Sequence, residues 1–292
     1  MNIKRFSNRV VSGLFFFAIA SIGEPLSAQK LTLSEDVNPT FTALEMNPGA
    51  EVVELAVDAD GATTELINGQ LMSRKHFPAI LKMKSGGLCT ASLVGPSTIL
   101  LAAHCVDHNS RIRFTLSNGK SVRAICQQAP GYRTGKADED WALCLLRRAV
   151  SGILFETLDL KKLPKPKSRV ILSGFGCDEK GKPSDGRLRV GVSRVTKSIR
   201  PSEKSTLFAR SDFENNEAIL CPGDSGGPAF VFSTSSVADA RRLIGVNSRT
   251  TYEYGMNFIS AVASLAGKTF ITEWADAHAQ EICGLNYAKT CK

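Results

Sequence analysis

None of the eight cysteines stands in a C-x-x-C pair, which excludes the usual zinc-ribbon and thioredoxin-type spacings. After the N-terminus, no apolar run approaches the ~20 residues that span a bilayer, and no stretch repeats at a fixed period. Lys and Arg are missing from residues 31–73. The basic residues elsewhere are scattered and lack an aromatic-interleaved cluster, which argues against a nucleic-acid module. His76, His108 and His278 have no convincing cysteine or carboxylate ligand set, so neither a metal nor another cofactor is expected. What is present is ordinary for globular proteins: 292 residues, 43% hydrophobic and 22% charged, with 24 Gly and 12 Pro. That composition suits one large domain or two small ones, and excludes collagen-like, coiled-coil and mostly disordered chains.

The first residues address the chain. Lys4, Arg5 and Arg9 precede the apolar run Gly13–Ile22, and Leu26-Ser-Ala28 offers a small-residue exit. This is the pattern of a secretory signal peptide over residues 1–28. The apolar run is too short for a membrane anchor. A mature protein that is secreted or periplasmic, without a transmembrane segment and monomeric, is expected. In that compartment an even cysteine count suggests disulfides.

The net charge of +8 conceals two unlike parts. Residues 29–65 hold Lys30 against eight acids, net −7, whereas the chain from Leu66 onward carries 32 basic and 19 acidic residues, net +13. A charge-biased leader is either a solvated arm or a removable pro-segment held partly by electrostatics.

From Leu66 the chain reads as short strands, for example Phe77–Met83, Ala91–Val94, Thr98–Ala103, Arg111–Leu116 and Trp141–Leu146. Ser85-Gly-Gly, Gly95-Pro, Asn118-Gly and Pro130-Gly divide them. Further strands follow at 170–173, 189–195, 229–232 and 243–246. This spacing argues for an all-β barrel or sandwich. The Pro- and Lys-rich stretch 161–168 looks like an exposed connector. Only the tail looks helical, from about Gly267 to Ile282, with Gly284 placed to stop it.

Three segments carry chemistry. In Leu100-Leu-Ala-Ala-His104-Cys105, a histidine suits general-base duty because its ordinary pKa lies near neutrality. In Asp140-Trp-Ala-Leu-Cys144, a carboxylate stands at the mouth of an apolar strand. Taken alone, either could be structural. Cys221-Pro-Gly-Asp-Ser-Gly-Gly-Pro228 is far more specific. A serine among glycines can sit on a tight turn with its hydroxyl exposed, and the Gly223 and Ser225 amides can converge on a developing oxyanion.

With these motifs in the order His, Asp, Ser, the sequence resembles the trypsin/chymotrypsin-like serine endopeptidases. The resemblance runs from about Leu66 to the C-terminal helix. It implies two packed antiparallel β-barrels with a C-terminal α-helix, the first over about 66–160 and the second, with the helix, over 169–292. It implies His104 as general base, Asp140 as its orienting carboxylate and Ser225 as nucleophile, with Gly223 and Ser225 forming the oxyanion hole. Leu66-Ile-Asn-Gly69 resembles the N-terminus freed on zymogen activation, and Asp224 the buried acid that receives its amine. Cys89 and Cys105 match the family disulfide around the base.

The chain also departs from the family pattern. Glu65, in place of a Lys or Arg, precedes Leu66, so activation is expected by a protease of other specificity or by self-cleavage. Ile219, six residues before the nucleophile, occupies the position that is acidic in trypsin-like enzymes. Ser248-Arg-Thr250 aligns with the family's Ser-Trp-Gly on the pocket wall, and Met256 lies close to another usual glycine. The expected pocket is shallow and apolar, favouring small or medium apolar residues; an occluded pocket is the alternative. Residues 222–282 lack the cysteine that usually pairs with Cys221. Eight cysteines admit 105 pairings, and spacing cannot choose among them. Beside Cys89–Cys105, the expected set is Cys126–Cys144, Cys177–Cys221 and Cys283–Cys291. The expectation is a secreted endopeptidase made as a precursor, with its own pro-segment and protein or peptide substrates as partners. Its alternative is a weak or inactive protease scaffold that binds anionic surfaces.

Overall fold

A computed structural model of the chain describes residues 66–177, 182–197, 199–202, 204–232 and 241–292. The expected signal peptide (1–28) and the expected pro-segment (29–65), with Glu65 at its end, lie outside the described residues.

Six antiparallel strands close the first barrel: β2 (Ile80–Met83), β3 (Thr90–Gly95), β4 (Thr98–Leu101), β5 (Ser110–Thr115), β6 (Ser121–Gln128) and β7 (Ala142–Leu146). In β5 and β6 the alternation is plain: Ile112, Phe114, Ala124 and Cys126 are buried, whereas Arg111, Arg113, Arg123 and Ile125 are exposed. Period-2 patterning of this kind holds register, because a slip of one residue would turn the apolar set to water.

The second barrel is a ring of β8 (Arg169–Gly174), β9 (Arg189–Lys197), β10 (Thr206–Arg210), β13 (Met256–Ala261), β12 (Arg241–Thr251) and β11 (Pro228–Phe232), closed by the β8–β9 and β8–β11 pairings. A short β1 (Gln70–Leu71) pairs with β9. The opening residues therefore belong to the second barrel, not to the first as a barrel over 66–160 had it. The connector 161–168 carries no regular element and is largely exposed.

One apolar cluster joins the barrels, running from Ile80, Leu100 and Trp141 to Phe175, Phe230 and Val246. Trp141 is fully buried and donates its indole N–H to the Ser260 carbonyl of β13 at 2.9 Å. Burial of a large apolar side chain contributes ~2–3 kcal/mol, and the satisfied N–H avoids the cost of an orphan donor. Nearby, Glu156 and Arg241 form a buried bidentate pair, with the guanidinium 4.1 Å from the Phe77 ring centroid. The pair fastens the chain leaving the first barrel to β12.

The C-terminal helix, α1, spans Leu265–Ala277, and the Ser264 hydroxyl caps it by accepting from Gly267 N. It ends five residues before the expected Ile282. Ala279, at φ +50, turns the chain, and Gln280 N bonds to Ala275 O while Ala279 N bonds to Asp276 O. Those two bonds make a Schellman stop with alanine in the usual glycine place. Gly284 serves elsewhere: a side chain there would meet the Leu158 carbonyl at 2.1 Å. Residues 278–292 return to the first barrel. Cys283 N donates to Val94 O, and Phe155 N to Thr290 O, both at 2.8 Å.

Disulfides join Cys89–Cys105, Cys126–Cys144, Cys177–Cys221 and Cys283–Cys291. Cys126 and Cys144 face each other across β6 and β7.

Candidate active site

His104 and Asp140 come from the first barrel, Ser225 and Ser248 from the second. The apolar strand β4 delivers His104 on a short 3-10 turn, Ala103–Cys105. Asp140 directly precedes Trp141, and is almost fully buried. Its carboxylate accepts three bonds: from His104 Nδ1 at 2.8 Å, His104 backbone N at 2.9 Å and Ser248 Oγ at 2.6 Å. Burial alone would raise the Asp140 pKa; the His104 and Ser248 hydrogen bonds and the His104 charge outweigh it and hold the carboxyl below its ordinary value. With Nδ1 as the donor to this carboxylate, Nε2 is left as the basic nitrogen of the neutral ring.

Ser225 sits on the turn between Cys221 and β11. Its hydroxyl faces Ser248 O at 3.5 Å, and no hydrogen bond joins it to His104 among the described residues. Bonds between a nucleophile and its base are commonly loose in a free site. Gly223 has φ +109, and a Cβ there would meet Gly176 Cα at 2.7 Å. Glycine thus lets the loop lie directly on the Phe175–Gly176 backbone. Neither the Gly223 nor the Ser225 amide donates to an acceptor among the described residues.

Asp224 lies beneath this turn, fully buried, and accepts from Gly176 N at 2.8 Å and Cys221 N at 2.9 Å. Burial pushes its carboxyl up to about 7, against the pull of those two amides and of the Arg189 charge. Leu66 is buried close by, with its N–H on Cys177 O at 2.8 Å. Ile67 pairs with Ile219 in an isolated antiparallel bridge. Leu66 takes φ +53 and Asn68 +63, a left-handed backbone that costs a leucine about 1 kcal/mol or more.

The residues expected to set specificity are placed as follows. Ile219 is fully buried. Thr250 Oγ1 donates to Met256 O at 2.8 Å, tying the two positions together across β12 and β13. Two cavities among the described residues, of about 530 and 140 Å³, are not lined by Ile219, Thr250 or Met256. The smaller one borders His104. Ser248, expected on the pocket wall, also turns its hydroxyl to Asp140. The serine's type could have suggested this, but nothing in the sequence says which carboxylate it meets.

Two positions were missed altogether. Thr90 N donates to Ser225 O and Thr90 Oγ1 to Gly223 O, both at 2.8 Å, so β3 of the first barrel braces the serine turn. Asn247 Nδ2 donates to Ser173 O and Asp224 O from beneath. Cys89, His104 and Cys105 are close enough to suggest a metal cluster, but both sulfurs are spent in one disulfide and Nδ1 is engaged by Asp140.

The trypsin family profile matches residues 66–266. Among similar curated proteins, human kallikrein-4 is 26% identical over 185 residues, covering 58% of this chain and 73% of its own length. The transmembrane protease serine 11G of rat is 26% identical over 174 residues (52% of this chain), and that of mouse 25% over 206 (63%). The chain spans less than half the length of these two, 41% and 47%. No helix among the described residues is long and apolar enough to cross a membrane. With the profile covering most of the chain and both barrels in place, the protein belongs to the trypsin family of serine proteases.

Proposed function

We propose that the protein is a secreted serine endopeptidase, made as a precursor and hydrolysing peptide bonds through an acyl-enzyme. The observation that carries this reading is the oriented pair: Asp140, supported by Ser248, holds the imidazole of His104 by Nδ1 beside the glycine-framed Ser225. Ser225 Oγ would attack the scissile carbonyl as His104 Nε2 takes its proton. The C–N bond then breaks, and the imidazolium returns the proton to the departing amine. Water, activated by the same nitrogen, would release the acid. The Gly223 and Ser225 amides would hold the oxyanion, an arrangement in which one donor supplies ~3–4 kcal/mol. The two transmembrane protease serine 11G relatives are proteases by name, which favours protein substrates.

The finer parts of the proposal are an exported chain cleaved after residue 28, activation at or near Glu65–Leu66, and a preference for small or medium apolar residues before the cut bond. The Thr250–Met256 tie and the buried Ile219 support a shallow pocket. The same tie favours the second reading, a catalytically weak scaffold that binds anionic partners.

Covalent labelling by a serine-reactive phosphonate separates the two. Labelling of the processed protein, lost in Ser225→Ala, supports the endopeptidase; a processed protein that does not label supports the binder. Profiling on a peptide library tests the pocket, and peptidase activity surviving in Ser225→Ala would sink the mechanism.

A further inference from the structure

The strands of the first barrel carry cations and no anions. β2, β5, β6 and β7 contain neither Asp nor Glu, and no acid occurs between Asp107 and Asp138, where Arg111, Arg113, Lys120, Arg123, Arg133 and Lys136 all fall. Register sets Arg113 directly opposite Arg123. Lys84, following β2, donates its N–H to Arg113 O at 2.8 Å, and Arg147, following β7, donates to Arg123 O at 3.2 Å. The inward pairs Met83–Phe114 and Ala124–Leu146 precede these in register, so both new pairs face outward. Lys84, Arg113, Arg123 and Arg147 therefore form one row across four strands, about 14 Å long at ~4.8 Å per strand. All four are exposed, and none has an anionic partner among the described residues. Like charges directly opposite one another disfavour strand pairing. The fold does not require them there.

The row lies next to the cavity that borders His104. The cavity of about 140 Å³ beside His104 is walled by Gly86, Ser110 and Ile112. Gly86 is two residues from Lys84, Ile112 lies between Arg111 and Arg113, and Arg113 N donates to Ser85 Oγ at 3.0 Å. Because the leaving amine takes its proton from the imidazole, the departing half of a substrate passes His104 while the acyl half stays on Ser225.

We propose that this row binds an acidic stretch of the peptide substrate on the leaving-group side of the cut bond. The inference rests on the endopeptidase reading and names its substrate class. Asp107, the acid lining the groove, repels carboxylates next to the imidazole. The acidic residues therefore fall beyond it, towards the row. Arginine suits the task, since its planar fork pairs two carboxylate oxygens at once.

The test measures binding apart from cleavage. Fluorescence anisotropy on the Ser225→Ala protein compares a labelled peptide ending in Asp and Glu with one ending in Ser and Asn. The acidic peptide should bind about tenfold tighter at low salt, with the advantage lost at high salt. Arg113→Glu should abolish the advantage, while its new pairing with Arg123 keeps the sheet intact. Equal affinities, or an advantage that survives both Arg113→Glu and Arg123→Glu, would overturn the proposal. So would a sulfated oligosaccharide or a DNA hairpin that outcompetes the acidic peptide and depends on Arg113. In the active protein, acidic-tailed substrates should show a lower KM at unchanged kcat; equal KM values overturn it. Acid-selective binding by a protein that neither labels at Ser225 nor cleaves either peptide would refute the endopeptidase and leave the surface standing.

Discussion

The two barrels fill their interiors differently. The core of the first is an apolar packing of residues such as Leu81, Leu93, Ile99 and Phe114, crossed by two disulfides. Inside the second, charged and amide groups are buried as well: Arg189, Glu217, Asp224, Asn247 and Asn257. Asn257 alone takes the Leu220 N–H and donates to Ser193 Oγ, Ser211 Oγ and Ala218 O. An apolar core tolerates small shifts at modest cost, whereas a buried polar network is directional and fails when one member is lost. The first barrel thus acts as a firm mount for His104 and Asp140. The second aims a loop, and spends its buried polarity on backbone around the serine turn.

The largest expected effect comes from the mount. Asp140→Asn should lower kcat by ~10⁴ while the fold persists, because the amide would stabilise the wrong tautomer of His104; steady-state kinetics beside circular dichroism checks both halves. Next come the disulfides. Loss of either Cys126–Cys144 or Cys177–Cys221 should cost ~2–4 kcal/mol of stability. Only the Cys177/Cys221→Ser pair should also cut kcat, by about 10²–10³, because those cysteines flank the Gly176 and Cys221 amides that hold Asp224. Equal activity in the two double variants would erase the distinction between mount and aim. Third, Asn257→Ala strips partners from buried groups and should destabilise by ~2–4 kcal/mol in urea titration. Ile112→Val in the apolar barrel should cost only ~1 kcal/mol.

The smallest effect is a slope with pH. The Asp224 carboxyl, at about 7 in the folded chain against an ordinary 3.8, binds a proton in the native state that the unfolded state has already released. Its contribution is therefore fully present below about pH 3.8 and is lost as pH rises towards 7 and beyond. Between pH 6 and 8 the uncut protein should lose about 1 kcal/mol. If cleavage at Leu66 delivers an amine to Asp224, the carboxyl falls and that slope disappears. An unchanged slope in the processed protein would mean that the amine goes elsewhere.

Much of this arrangement is legible in the sequence because turns and apolar strands punctuate it plainly. The Ser225 turn can be read directly, since its glycines are needed by the backbone itself. Strands β6, β10 and β13 escaped notice: Ser121-Val-Arg, Thr206-Leu-Phe and Met256-Asn-Phe mix polar residues into positions that tertiary contacts bury or pair. Thr90 and Ser248 act through partners far along the chain, and no local pattern marks a hydroxyl for a distant carboxylate or carbonyl. The crossing of Gln70–Leu71 to the second barrel is likewise a matter of distant pairing.

The returning tail has a consequence for the order of folding. The Val94 carbonyl, in a strand made early, waits for the amide of Cys283, and Phe155 waits for Thr290. Hairpins such as β5–β6 can close as soon as they emerge, because their partners are adjacent in sequence. These last contacts have high sequence separation, and such contacts form late and slowly. The first barrel is thus expected to be completed last, from residues far along the chain.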